Sequence, residues 1–126
     1  MTTMFFVMAG GAVGAALRYQ LGRMTASAWG SAMPWGTLLA NLLGGFAMGL
    51  LAGWLARLPA AQAEPWRLLL GVGMLGGFTT FSAFSLESMM MIERGQFGAA
   101  LLYILVSVAG AIGALALGLL AVRSVA

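Results

Sequence analysis

The residues in this chain whose types could do chemistry are few, and most sit in one segment. Residues 73 to 88 read GMLGGFTTFSAFSLES, placing the hydroxyls of Thr79, Thr80, Ser82, Ser85 and Ser88 beside Phe81, Phe84 and Glu87. Helical spacing puts Phe81 and Phe84 on one face and Ser82 and Ser85 on another, while Thr80, Phe84, Glu87 and Met91 form a stripe at i, i+4, i+7 and i+11. Hydroxyls donate to anions and accept toward cations, so they do not fix the sign of a ligand. The edge of a phenyl ring is electropositive, and two edges can line an anion path with no fixed charge to trap the ion. Glu87 opposes an anion unless it lies near an end, is protonated or accepts hydrogen bonds. On these residues alone the segment suits a small-ion channel, on balance an anionic one, with ordinary ring packing as the plainer alternative.

Composition excludes most other chemistry. The 126 residues are 62% apolar and include six arginines, three glutamates, no histidine and no cysteine. Without His, Cys or Lys no ordinary nucleophile–base pair can be assembled, and Glu64, Glu87 and Glu93 are too scattered for hydrolysis. Thiolate metal sites and disulfides are excluded. The net charge of +3 forms no basic patch, so nucleic acid is not an expected partner. So few charges cannot cover a soluble surface, and the lipid bilayer is the expected solvent.

The elements that must position these residues are four apolar stretches in a single domain over residues 1–126, at about 4–21, 35–56, 68–92 and 97–122. A span needs roughly 20 residues, so all four can cross. Trp29, Trp35, Trp54 and Trp66 fall near their ends, where aromatic belts lie. The run Met4–Leu17 lacks a preceding positive charge, and Arg18 and Arg23 separate it from the small residues Ala26-Ser27-Ala28, so it is expected to stay as a mature helix. Gly10/Gly14, Gly45/Gly49/Gly53 and Gly110/Ala114/Gly118 recur every fourth residue, a spacing for close helix contact within a bundle or at a dimer face. Arg57, Arg67 and Arg123 fall on one side of the membrane and Arg18, Arg23 and Arg94 on the other. Positive charge sets orientation, so this even split predicts insertion both ways and pairing of two copies head to tail.

Three polar features interrupt the apolar spans. Asn41 either ties two helices together or faces a path. Arg18 either snorkels to the interface or makes an electropositive vestibule. Gly76-Gly77 followed by Thr79-Thr80 predicts a helix break, which is tolerated at membrane depth only when buried in protein or lining a cavity.

The run GGFTTFSAFS resembles the GGxTTFSTF signature of the Fluc (CrcB-type) bacterial fluoride channels. GGAVGAALRY resembles that family's first helix with its Arg, and PWGTLLANLLGGF the start of its second with its Asn; the likeness covers essentially the whole chain. The resemblance implies an all-α integral protein of the bacterial cytoplasmic (inner) membrane, with four spans and a broken third helix. It further implies a dual-topology antiparallel homodimer with two pores for passive fluoride efflux, and so resistance to fluoride. Phe81 and Phe84 match the pore phenylalanines and Asn41 the pore amide. Arg18, Glu87, Tyr103 and Ser107 match polar positions of the pore system. Ser82 and Ser85, which share a side of the same segment, are counted with the pore lining. The carbonyls of Gly76 and Thr79 match ligands of a structural Na⁺ at the dimer interface. The family's usual Thr between Ser and Phe is Ala83 here, one hydroxyl fewer in the polar track.

Two other readings compete. A small dual-topology multidrug/proton exporter needs a carboxylate in its first helix, and this one has none. An accessory membrane subunit without transport predicts that changes in the polar track cost stability and leave ion flux untouched.

Overall fold

A computed structural model describes residues 2–125; the two terminal residues of the single domain expected over 1–126 lie outside it. Helices α1 (Thr2–Trp29), α2 (Trp35–Leu55) and α3 (Ala60–Trp66) lead into a π-helix (Arg67–Leu75). A helical turn, α4 (Gly76–Phe78), then precedes α5 (Phe81–Glu93) and α6 (Phe97–Arg123). Four helical stretches are long and apolar enough to cross a membrane, the third being Ala60–Glu93 taken as a whole.

The first helix runs well past the expected residue 21, because nothing in YQLGRMTASAW after Leu17-Arg18 forces it to end. It stops at Gly30, whose φ of +79° and N–H bond to the Ala26 carbonyl form a left-handed cap. Gly95 closes α5 in the same manner, with φ +78° and the Gln96 N–H reaching back to the Met91 carbonyl at 2.9 Å.

The third span differs most from its sequence reading. The break is not at Gly76-Gly77, which remain helical, but at Thr79 and Thr80, whose backbones are extended (φ −85°, ψ 156° and φ −150°, ψ 115°). β-branched residues lose little in extended backbone. The glycines serve another purpose: a Cβ on Gly77 would lie 2.7 Å from the Gly11 carbonyl oxygen of α1. Ahead of the break the chain is wound as a π-helix for nine residues, far beyond the single-turn bulge usual for this geometry.

The small-residue repeats pack inside the chain. Gly10 and Gly14 lie against the π-helix, and a Cβ on Gly14 would overlap the Met74 carbonyl. Gly49 fits under the Leu115 carbonyl and Gly118 under that of Phe46, which seats α2 on α6. In a lipid solvent such backbone approach supplies the packing that hydrophobicity cannot. Leu38, Phe84, Met91, Ala100 and Tyr103 form the buried cluster between α2, α5 and α6. The outer faces, among them Phe5, Leu101, Leu105, Ile112 and Leu117, are exposed apolar surface suited to acyl chains.

Candidate functional site

The extended Thr79-Thr80 link frees backbone groups that a continuous helix would pair internally. Asn41, on α2, takes up those of Thr80 from both sides. Its Oδ1 accepts from the Thr80 N–H at 2.8 Å, and its Nδ2 donates to the Thr80 carbonyl at 3.2 Å. The amide therefore ties two helices, yet it has two N–H groups and uses one. Thr80 in turn caps α5: its Oγ1 accepts from the Ala83 N–H at 3.1 Å and lies 3.3 Å from Ser82 Oγ. The Thr79 N–H and hydroxyl both donate to the Leu75 carbonyl, at 2.9 and 3.0 Å.

Arg18 is half-buried and turns one edge of its guanidinium to the chain. Its Nε donates to the Gly77 carbonyl at 3.2 Å, so the cation sits against the broken segment. The carbonyls of Gly77 and Thr80 are thus satisfied by Arg18 and Asn41. Those of Gly76 and Thr79 accept no hydrogen bond among the described residues. Two free, neutral, hard oxygens per chain fit a monovalent cation and no transition metal. Among the described residues no three His, Cys, Asp or Glu side chains converge into a metal-binding group.

A cavity of about 340 Å³ lies beside the break, lined by Asn41, Thr79, Thr80, Phe81, Phe84 and Ser107, and by aliphatic side chains. The Phe81 and Phe84 ring centroids are 5.6 Å apart, with the planes tilted by 45°. Phe84 is buried; Phe81 is 77% exposed in the single chain. Ser107 is 5% exposed, and its hydroxyl has no partner. A buried orphan hydroxyl is costly, and this one borders the cavity where the amide and the rings converge.

Phe84 lines this cavity and also packs against a second polar cluster. Its ring lies 5.4 Å from that of Tyr103. The Tyr103 hydroxyl donates to Glu87 Oε1 at 3.0 Å, and the Thr37 hydroxyl donates to Glu87 Oε2 at 3.0 Å. Glu87 therefore accepts two hydrogen bonds, one of the three conditions that would reconcile a carboxylate with an anion path. Thr37 was not singled out from sequence, although it precedes Asn41 by one helical turn on the same face of α2.

The remaining site residues are not gathered into either cluster. Ser82 and Ser85 are exposed on the single chain. Ser85 spends its proton on the Phe81 carbonyl at 2.9 Å, so in this rotamer it offers lone pairs and no donor. Phe81, Ser82 and Ser85 together make a partly polar face on the outside of one copy.

This sequence matches the family described as "CrcB-like protein, Camphor Resistance (CrcB)" over residues 5–119. A protein of Phenylobacterium zucineum (strain HLK1) named "Fluoride-specific ion channel FluC" is 57% identical over 125 residues, which cover 99% of this chain and 98% of that one. Proteins of the same name are similarly related. That of Caulobacter sp. (strain K31) is 50% identical, over 99% of this chain and 98% of its own length. That of Erythrobacter litoralis (strain HTCC2594) is 53% identical, over 93% and 89%.

Proposed function

This chain belongs to the CrcB-like family of fluoride channels, and from that premise we propose that it is a fluoride-selective channel giving passive efflux across the bacterial inner membrane. It is a multi-pass membrane protein and not an enzyme. The observation that carries the reading is the cavity beside the helix break. Two phenyl rings, the Asn41 amide with one N–H to spare and the unpartnered Ser107 hydroxyl all border it.

Fluoride is compact and strongly hydrated, so removing its water is very costly. A pore must replace that shell with converging donors and still let the ion go. Neutral N–H, O–H and ring-edge donors do both, where a buried ammonium would hold the ion. Beyond the rings the Glu87 carboxylate is held by Thr37 and Tyr103, two hydroxyls that can exchange this acceptor for a passing anion.

The working unit in this reading is an antiparallel homodimer with two pores. The partly polar face of Phe81, Ser82 and Ser85 favours it, since hydroxyls facing lipid are costly. A two-fold axis through the break would bring the free Gly76 and Thr79 carbonyls of both copies together. Four such oxygens repel one another unless a cation lies between them, and a structural Na⁺ fits that role.

The experiment is fluoride efflux from liposomes holding purified Phe81→Ile or Phe84→Ile. Each keeps apolar bulk and removes an electropositive edge. Aromatic interactions are worth about 0.5–1.5 kcal/mol, so each change should slow fluoride about two- to tenfold with the protein still folded. Both variants conducting like the native protein would reduce the rings to packing.

A further inference from the structure

A second cavity, of about 420 Å³, opens at the end of the bundle carrying the α1–α2 and α5–α6 connections. It is lined by Thr25, Thr37, Glu87 and Arg94 together with loop residues 30–34. Thr37 and Glu87 also belong to the hydroxyl–carboxylate cluster behind Phe84, so this cavity links that cluster to the membrane surface. Arg94 is the one cation among its lining residues. It lies just past the end of α5, seven residues after Glu87, or about 10 Å along a helix.

Two of the three arginines near the other end of the bundle are engaged. Arg57 binds the Val122 and Val125 carbonyls, and Arg67 pairs with Glu64 at 2.5 Å. Among the described residues the Arg94 side chain forms no ion pair, and its one hydrogen bond is a long one, 3.4 Å from Nε to Gln96 Oε1.

We propose that this cavity is an anion-gathering mouth in which Arg94 offsets the field of Glu87 and raises the local concentration of the permeating ion. The inference rests on the fluoride-channel reading. A carboxylate alone at the floor of a low-dielectric funnel would repel an arriving anion. A guanidinium at the rim of the same funnel reverses the sign an ion meets first, and such fields act through local concentration and encounter rate. Arg94 is thus a positioning residue for ion traffic and not part of the lining that strips water from the ion.

The test is fluoride efflux at sub-saturating fluoride from liposomes holding purified full-length protein, at ionic strengths of about 10 mM and about 1 M with sodium held fixed. The Debye length falls from about 30 Å to about 3 Å over that range, so a through-space effect fades and a structural one persists. Arg94→Gln should slow efflux about two- to fivefold at low salt and match the native protein at high salt. Arg94→Lys should stay close to native at both. Arg23→Gln, which removes an exposed charge from the same end of the bundle outside the cavity lining, should slow efflux less than Arg94→Gln at low salt. Equal rates for Arg94→Gln and Arg23→Gln, or a loss that high salt does not erase, would overturn the proposal. If Arg94→Gln does not fold, the lysine variant decides: native-like, salt-sensitive flux supports the mouth, and a salt-independent loss contradicts it. A native protein that passes no fluoride overturns the channel reading and this inference with it.

Discussion

At Asn41 one side chain ties two elements and also borders the cavity. The amide pairs with both backbone groups of Thr80 and has a second N–H unused among the described residues. Sequence gave reason to expect either a helix tie or a path-facing donor; the partner was illegible because Thr80 is distant along the chain. Thr37 escaped notice because a lone Thr in an apolar helix most often bonds back to its own backbone; its partner, Glu87, lies fifty residues away. The partner of Arg18 was likewise hidden, since the Gly77 carbonyl lies fifty-nine residues along the chain. Ala83 raises a sharper question. Its N–H is already capped by Thr80, so restoring a side-chain hydroxyl there leaves the cap intact. Ala83→Thr is expected to give equal or faster fluoride efflux with unchanged selectivity. A folded variant that no longer conducts would show that this stretch of α5 has no room for the hydroxyl.

Among the elements, the four spans were legible because a run of apolar residues long enough to cross a bilayer has few other uses. The location of the break was less so. A glycine pair reads as a helix breaker in water, whereas here Gly77 stays helical and admits α1 to van der Waals contact. The threonines beyond it take the extended backbone. The π-helix ahead of the break has no signature in composition. The packing of α2 on α6 makes a paired prediction. Gly49→Ala drives a methyl into the Leu115 carbonyl and should cost about 1–3 kcal/mol. Gly113→Ala meets nothing within 4 Å and should be neutral or stabilising by up to about 1 kcal/mol. Thermal unfolding in detergent distinguishes them; equal effects would mean that the α2–α6 seat is not the close contact described.

For the whole molecule, the charge balance and the bare polar face bear on assembly. With Arg18 bonded to the broken segment, the ends carry Arg57, Arg67 and Arg123 against Arg23 and Arg94, a difference of one charge. Orientation should remain mixed, and C-terminal reporters should read both sides of the membrane; signal on one side alone would contradict antiparallel pairing. The free Gly76 and Thr79 carbonyls predict a linkage between cation and stability. Raising Na⁺ against a large organic cation to 100 times its dissociation constant should add about 2.7 kcal/mol to the stability of the proposed dimer, read as a rise in unfolding temperature. No change after exhaustive Na⁺ removal would mean that those oxygens are satisfied otherwise. The central claim, fluoride conduction, is tested most directly by loading liposomes that hold the purified native protein with fluoride or chloride and following release of each ion with a selective electrode. Rapid fluoride release with chloride retained is the predicted result; fluoride retained as in protein-free liposomes, or both ions released alike, would contradict it.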